Sequence, residues 1–296
     1  MQTKSEIERL LASVGIEPNR RRGQNFLIDL NLMRLLIDAA GIHNNDVVLE
    51  VGCGTGSMTE EIAQRCGACI CVEIEDALAK ITQMKLAEFS NVTMINRDVL
   101  ESKNTIDETV VEAIETARRE CSGRLLLVSN LPYSVASPVM MNLVSGAVVA
   151  DEMYVTVQKE VAERMTARPG GEEYGTLSIF LSATGEVKLM RTLRPTVFWP
   201  EPTVDSAMIS FVRSERLAGR IKDMGLFGDV VGLFMQHRRK MMKACAKFAE
   251  GRLEKVHNWG VIFEESAVNP HDRPEQVPAE GYISIANLCY ENLRTA

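Results

Sequence analysis

The stretch Val47-Val48-Leu49-Glu50-Val51-Gly52-Cys53-Gly54-Thr55-Gly56 joins a β-branched apolar run to a glycine-rich loop. The apolar run predicts a buried strand, and the spacing of apolar positions over residues 57–66 predicts a helix directly after the loop. Glycines allow a sharp turn and a close approach of the backbone to a ligand beside a helix N-terminus. The stretch therefore indicates a loop for a nucleotide-type cofactor. A tight turn without a ligand is the alternative reading, and Ser57 at the third glycine position does not exclude NAD.

Strand-like and helix-like segments alternate on both sides of this loop. Short β-branched runs predict further strands at residues 68–74, 91–95, 124–129 and 153–157. Apolar positions three and four residues apart predict helices between them, at 32–40, 75–88, 106–120, 135–145 and 159–167. A strand-helix order of this kind implies a parallel sheet covered by helices on both faces.

The pattern changes after residue 176. Three strand-like runs, at 177–184, 187–193 and 204–212, follow one another without a helix between them, so the sheet is expected to finish antiparallel. Beyond Arg213 the spacing is helical to the end of the chain. We therefore predict an α/β domain over residues 1–213, with N-terminal helices included, and a small helical domain over residues 214–296.

Composition places the chain among ordinary globular proteins, with 46% hydrophobic and 25% charged residues in a length of 296. No apolar run approaches the roughly 20 residues that a membrane-spanning helix needs. The charged, amphipathic N-terminus differs from a secretory signal. Seven cysteines lying in apolar stretches indicate reduced, buried thiols. We expect a cytoplasmic protein that does not enter a membrane.

The charge of the chain is unevenly distributed. A net charge of −7 argues against a polyanionic partner. Residues 213–255, however, carry 11 Lys and Arg against 5 Asp and Glu, whereas residues 256–296 carry 2 against 6. A local basic stripe can bind nucleic acid despite an acidic total, although a solvated helix face would show the same pattern.

Two acidic residues follow strands next to the glycine loop. Glu73 ends the predicted second strand, where a doubly wound fold presents a carboxylate to the ribose hydroxyls of a nucleotide. Asp98 follows the third strand, in position to accept a hydrogen bond from an adenine amine. A strand-end charge and a turn aspartate are the structural alternatives. Together with the loop, the two acids favour an adenosine-bearing cofactor.

The fourth predicted strand runs into Ser129-Asn130-Leu131-Pro132-Tyr133. An exocyclic amine of a base delocalises its lone pair into the ring and is a poor nucleophile until its nitrogen is held pyramidal. The Asn130 side-chain oxygen and the Leu131 carbonyl could both accept hydrogen bonds from such an amine. Pro132 stiffens the turn and Tyr133 offers a ring face for base stacking. An asparagine-initiated turn at a strand end is the alternative.

The chain as a whole resembles the small-subunit ribosomal RNA adenine dimethyltransferases, a family of S-adenosylmethionine-dependent enzymes with a Rossmann-like sheet. The resemblance rests on the motifs above and on four further stretches: Arg22-Gly23-Gln24-Asn25-Phe26-Leu27, Gln158-Lys159-Glu160-Val161-Ala162, Tyr174-Gly175-Thr176-Leu177-Ser178 and Phe198-Trp199-Pro200-Glu201-Pro202-Thr203-Val204-Asp205-Ser206. Trp199, Glu201 and the overall acidity depart from the family pattern and bear on affinity for RNA.

The resemblance implies a site and a reaction. It implies contacts with S-adenosylmethionine by Gln24, Asn25, Leu27, Gly52, Gly54, Gly56, Glu73, Asp98 and Asn130. It implies catalysis by Asn130, Leu131, Pro132 and Tyr133, with Phe198 stacking on the target adenine opposite Tyr133. No metal is required. The expected reaction is dimethylation of the exocyclic amines of two adjacent adenosines in a hairpin loop near the 3′ end of small-subunit (16S) RNA.

The expected partner is small-subunit ribosomal RNA within the assembling subunit, bound by a monomer. The basic run Gln236-His237-Arg238-Arg239-Lys240 resembles the start of the family's basic helix. A large-subunit RNA adenine methyltransferase of the macrolide-resistance type stays an alternative, as does a protein that chiefly assists subunit assembly. A DNA adenine or glutamine methyltransferase would more often have proline at position 131, where this chain has leucine.

Overall fold

Two compact units make up the chain in the computed structural model, which describes residues 1–18 and 24–295. The sheet unit comprises Met1–Ala162 and Lys188–Val212, and the helical unit comprises Glu163–Val187 and Arg213–Ala296. The segment 163–187 thus clusters with the C-terminal residues, and the domain boundary at residue 213 stays a prediction. Arg22 and Gly23 of the first family motif lie outside the described residues.

A seven-stranded sheet forms the centre of the sheet unit. Its strands are β2 (Val47–Val51), β3 (Ala68–Glu73), β4 (Val92–Asn96), β7 (Leu125–Asn130), β8 (Glu152–Gln158), β9 (Gly185–Leu193) and β11 (Ser206–Arg213). They lie in the order β4-β3-β2-β7-β8-β11-β9. Two small two-stranded pairs join β1 (Phe26–Leu27) to β10 (Phe198–Trp199) and β5 (Leu100–Ser102) to β6 (Thr105–Ile106).

The predicted parallel sheet is confirmed. Strand β2 lies between β3 and β7 and runs parallel to both, with Val47 opposite Ala68 on one side and Leu125 on the other. All five residues of β2 are buried, as expected for a strand covered on both faces. The predicted antiparallel finish is also confirmed, because β11 runs antiparallel to β8 with Ser206 opposite Gln158.

Helices alternate with these strands: α1 (Lys4–Ser13), α2 (Leu30–Ala39), α3 (Ser57–Ala63), α4 (Asp76–Lys85), α5 (Glu108–Glu120), α6 (Ala136–Ser145) and α7 (Lys159–Thr166). Helix α2 shows why they form. The Asp29 side chain accepts hydrogen bonds from the Asn31 and Leu32 amides and caps its first turn. The helix then buries one apolar face against the core, made of Leu32, Met33, Leu36 and Ile37.

The expectation of a strand at residues 177–184 was wrong, because Thr176–Thr184 forms helix α8. Seven of the nine α8 residues are buried. The sequence therefore lacks the alternation of an apolar and a polar face that would have indicated a helix. A short apolar run of this kind fits a buried helix as well as a buried strand. The Gly175 amide donates to the Ser178 hydroxyl at 3.2 Å and satisfies a donor at the start of the helix.

Helices α9 (Glu215–Ala218), α10 (Met224–Gln236), α11 (Met242–Cys245), α12 (Trp259–Glu265) and α13 (Ala279–Thr295) complete the helical unit. The Phe234 ring of α10 packs against the rings of Phe263 and Tyr282, each with ring centroids 6.2 Å apart. The Tyr282 hydroxyl donates to the Pro274 carbonyl at 2.8 Å. Among the described residues, no helix has the length and apolar character needed to cross a membrane.

Candidate active site

A cavity of about 330 Å³ lies where the carboxyl ends of β2, β3 and β7 meet. Ligands of open α/β sheets bind at this edge. The cavity brings together ten of the residues that the sequence analysis selected: Gln24, Asn25, Gly52, Gly54, Glu73, Asp98, Asn130, Leu131, Pro132 and Tyr133.

The glycine loop forms one wall of this cavity at close range. Gly52 and Gly54 have φ angles of 76° and 58°, in the left-handed region that favours glycine. A Cβ atom on Gly52 would lie 2.6 Å from Cγ of Pro132, and one on Gly54 would lie 2.9 Å from Cε1 of Phe26. Side chains at these positions would therefore push the Pro132 and Phe26 side chains away and distort the wall.

Glu73 is buried at the end of β3 and is held by the backbone. One carboxylate oxygen accepts from the Gly54 amide at 2.9 Å, and the other accepts from the Glu75 amide at 3.0 Å. Burial raises the pKa of Glu73, and the amide donors partly offset this effect. Each carboxylate oxygen keeps further acceptor capacity, so the side chain can still receive hydroxyl donors from a ribose.

Asp98 lies in the turn after β4, where its side chain both stabilises the turn and lines the cavity. Its Oδ1 accepts a hydrogen bond from the Leu100 amide at 3.0 Å. The side chain is exposed and also lines the cavity. The neighbouring Arg97, another lining residue, pairs with Asp107 at 2.9 Å. The structural and the functional interpretations of Asp98 are therefore compatible.

Asn130 ends β7, and its side-chain amide is bound on both sides. Its Nδ2 donates to the Asn25 carbonyl oxygen at 2.8 Å, and its Oδ1 accepts from the Thr156 hydroxyl on β8. These two bonds fix which end of the amide is the acceptor. An amide oxygen has two lone pairs, so one remains for an incoming donor such as an amine.

Leu131 and Tyr133 complete the turn. The Leu131 amide donates to the Thr156 carbonyl at 3.2 Å, while the Leu131 carbonyl oxygen accepts no hydrogen bond within residues 1–18 and 24–295. The Tyr133 hydroxyl lies 2.7 Å from the Ser206 hydroxyl, which positions the ring. Burial raises the pKa of Tyr133, so the phenol is neutral at physiological pH.

Three predicted site residues do not line the cavity. Leu27 and Phe198 are opposite each other in the β1–β10 pair and belong to one buried apolar cluster. Phe198 is 1% exposed, so its ring offers no face to an adenine in this structure, and its stacking role stays a prediction. Gly56 precedes α3 with a φ of 71°, and its carbonyl accepts from Nζ of Lys85 at 3.1 Å.

The structure adds three residues that the sequence analysis did not select. Phe26 lines the cavity beside Gly54, and the Trp199 ring stacks on it with centroids 6.2 Å apart. Thr156 holds the Asn130 side chain. Glu50 lies fully buried in β2, and burial raises its pKa to about 8. An acid inside an apolar strand was the only sequence signal among the three.

The fold and the cavity define an α/β enzyme with a pocket for a nucleotide-type cofactor. Residues 16–289 match the family model described as ribosomal RNA adenine dimethylase. Two relatives carry the name ribosomal RNA small subunit methyltransferase A. The one from Caldanaerobacter subterraneus subsp. tengcongensis is 33% identical, with 93% of this chain and 98% of the relative covered. The one from Pediococcus pentosaceus is 34% identical, with 94% and 92% covered.

Two solved structures share the fold. A dimethyladenosine transferase from Plasmodium falciparum superposes with a TM-score of 0.70 at 18% identity, covering 90% of this chain and 98% of that one. The 23S rRNA methyltransferase ErmE gives a TM-score of 0.60 at 20% identity, covering 89% and 98%. The chain belongs to the ribosomal RNA adenine dimethylase family. Membership confirms the predicted Rossmann-like methyltransferase fold, the methyltransferase activity on ribosomal RNA and S-adenosylmethionine as the cofactor.

Proposed function

We propose that this protein dimethylates the exocyclic amines of two adjacent adenosines in a hairpin loop near the 3′ end of small-subunit (16S) ribosomal RNA, during assembly of the small subunit. The observation that carries the proposal is the oriented Asn130 side chain at the cavity wall, with a free Leu131 carbonyl beside it among the described residues. The names of the relatives, which specify the small subunit, support the choice of RNA.

The cavity fits S-adenosylmethionine. Gly52 and Gly54 line the cavity at positions where a Cβ atom would clash with Pro132 or Phe26, and the Glu73 and Asp98 carboxylates line the same cavity. We assign Glu73 to the ribose hydroxyls and Asp98 to the adenine amine, and we also assign Gln24 and Asn25, which line the cavity just before β1, to contacts with the cofactor. When bound, the cofactor supplies a methyl group already activated by its sulfonium, so no metal or covalent nucleophile is needed.

Asn130 and Leu131 then act on the target amine. The Asn130 Oδ1 and the Leu131 carbonyl each accept one N–H of the amine, which holds the nitrogen pyramidal and exposes its lone pair. Orientation and proximity supply most of the rate enhancement in such a displacement. After the first methylation the amine retains one N–H, so a single acceptor suffices in the second round. The released proton passes to solvent.

Tyr133 holds the base by stacking, since its ring lines the cavity and its hydroxyl is anchored by Ser206. A target base must leave its stack to reach such a pocket, and loop bases do so at lower cost. Phe198 completes the clamp only if its ring leaves the apolar cluster that buries it here. Leu27 lies opposite Phe198 in the β1–β10 pair, and in this proposal it supports the cofactor pocket by packing rather than by direct contact.

We assign RNA binding beyond the pocket to the basic residues of 213–255, all but Arg213 of which lie in a C-terminal domain of residues 214–296, and catalysis to residues 1–213. The protein acts in this proposal as a cytoplasmic monomer. Among residues 1–18 and 24–295, no three His, Cys, Asp or Glu side chains are arranged to hold a metal ion.

Primer extension on ribosomal RNA from cells lacking the protein tests the choice of substrate, since dimethyladenosine blocks reverse transcriptase. We expect the block near the small-subunit 3′ end to disappear and to return with the wild-type gene. A block lost only from large-subunit RNA would instead support the macrolide-resistance type of enzyme. A role chiefly in assembly requires that Asn130→Ala restore subunit maturation while methylation is absent.

A further inference from the structure

An exposed aromatic ring lies in the helical unit, outside the site described above. Phe248 is 46% exposed at the end of the 3₁₀ turn Ala246–Phe248. One face of its ring stacks on the ring of His237, with centroids 4.2 Å apart and an interplanar angle of 12°. Nδ1 of His237 lies 2.9 Å from the Leu233 carbonyl, which fixes the imidazole. Phe248 therefore keeps nearly half of its surface exposed while His237 supports one face of its ring.

A cavity of about 310 Å³ adjoins the ring. Gly228, Gly232 and Gln236 line it at intervals of four residues along one face of α10, with Phe248 at its side. A Cβ atom on Gly232 would meet nothing within 4 Å, so the cavity is open at this point. The volume is at the lower end of the range of small-molecule sites, about 300–1,000 Å³, and suits one planar heterocycle.

The charges around the ring are of two kinds. Asp229, Glu250 and Arg252 line the cavity, and the Arg252 guanidinium pairs with the Asp229 carboxylate at 2.8 Å. Outside the cavity, Arg239, Lys240 and Lys247 are exposed and form no ion pair in the described part of the chain. Glu250, which forms no ion pair in the described part of the chain, suits an amino group of a base rather than a phosphate. The free cations suit phosphates on either side of it.

We propose that Phe248 is a stacking platform for one unpaired nucleobase of the RNA substrate, with Arg239, Lys240 and Lys247 on the flanking phosphates. The inference rests on the proposed function, which makes RNA the substrate. Nζ of Lys240 lies 5.4 Å from the centroid of the Phe248 ring. Because an exposed cation–π contact is weaker than base stacking on an aromatic ring, a base displaces this ammonium toward a phosphate.

Binding of full-length protein to unmethylated small-subunit RNA, measured over a series of salt concentrations, tests the platform. We expect Phe248→Ala to weaken binding about 5- to 100-fold without changing the slope of log K against log salt. Phe248→Trp retains a ring and binds within about twofold of wild type. Lys247→Ala lowers affinity and reduces the slope by about one unit. Val261→Ala, an equally exposed apolar position in α12, is the matched control and leaves binding unchanged.

If Phe248→Ala binds the RNA as tightly as wild type and unfolds at the same temperature, Phe248 is not a stacking platform. The same conclusion follows from a variant that binds free RNA normally and loses affinity only for the ribosomal subunit, because the ring would then dock on protein. Methyl transfer by the wild-type protein to the same RNA is measured in parallel. If the wild type neither binds nor methylates this RNA, either free or within unmethylated small ribosomal subunits, the proposed function fails. If the wild type methylates it and Phe248→Ala binds equally well, only the platform fails.

Discussion

The Thr156 hydroxyl on β8 donates a hydrogen bond to the side-chain oxygen of Asn130 at the end of β7. The other end of the same amide donates to the Asn25 carbonyl at 2.8 Å. Thr156 is fully buried, and it lies directly opposite Asn130 in the parallel register of the two strands. The orientation of the acceptor that receives the substrate amine is therefore determined by a strand neighbour that does not line the cavity.

Thr156→Val tests this positioning role, because valine has nearly the same shape and lacks the hydroxyl. Loss of one hydrogen bond of about 1 kcal/mol should lower kcat about fivefold and leave KM for RNA and for the cofactor nearly unchanged. Thr156→Ser retains the donor and should restore kcat. A fall in unfolding temperature with kcat unchanged would show that the hydroxyl serves only stability.

Gly52→Ala should weaken cofactor binding. The new methyl group would lie 2.6 Å from Cγ of Pro132, so the loop and the turn would have to separate. Gly41 is the matched control, since its φ of 50° is also left-handed and nothing lies within 4 Å of its Cβ position. Both variants incur about 1–2 kcal/mol of backbone cost. Calorimetric titration with S-adenosylmethionine should show a loss of affinity for Gly52→Ala only, and equal affinities in the two variants would refute the close approach.

Glu50→Gln should change the pH dependence of stability. Burial raises the pKa of Glu50 from 4.5 to about 8, so the folded protein binds this proton more tightly than the unfolded chain. The free energy of unfolding therefore falls as pH rises from 4.5 to 8. The variant should gain up to about 4 kcal/mol over wild type at pH 8 and almost nothing at pH 4.5. Urea unfolding at both pH values, with the exposed Glu115→Gln as control, measures the difference. A gain independent of pH would contradict the assignment.

Variants at Tyr133 distinguish the role of its ring from the role of its hydroxyl. Tyr133→Phe and Ser206→Ala remove the same 2.7 Å hydrogen bond from opposite sides and should each lower methyl transfer only a few-fold. Tyr133→Ala removes the stacking face and should lower kcat/KM for RNA about 5- to 100-fold. Steady-state methyl transfer to unmethylated small subunits compares the three. Equal losses in Tyr133→Phe and Tyr133→Ala would contradict a stacking role.

The parallel sheet was predictable because strands buried on both faces are nearly continuous apolar runs, as in Val47–Val51, which only Glu50 interrupts. The same property made the strand predicted at residues 177–184 wrong, because the apolar run within Thr176–Thr184 has no polar face and forms a helix. Length alone could not separate the two structures. The capping contact between Gly175 and Ser178 is a weaker signal than the apolar run that follows it.

Glu73, Asp98 and Asn130 were predictable as cavity residues because carboxyl ends of parallel strands meet at one edge of the sheet. Thr156 was not predictable, since its contact with Asn130 depends on the register between β7 and β8. The burial of Phe198 could not be predicted from the sequence either. It depends on the pairing of a two-residue strand with Phe26–Leu27, which no local pattern in the sequence indicates.

Transfer of labelled methyl groups from S-adenosylmethionine to unmethylated small ribosomal subunits, followed by mass analysis of the released nucleosides, tests the central claim most directly. The account predicts N6,N6-dimethyladenosine with the wild-type protein and none with Asn130→Ala. Label found only in large-subunit RNA, or dimethyladenosine formed equally well by Asn130→Ala, would contradict it.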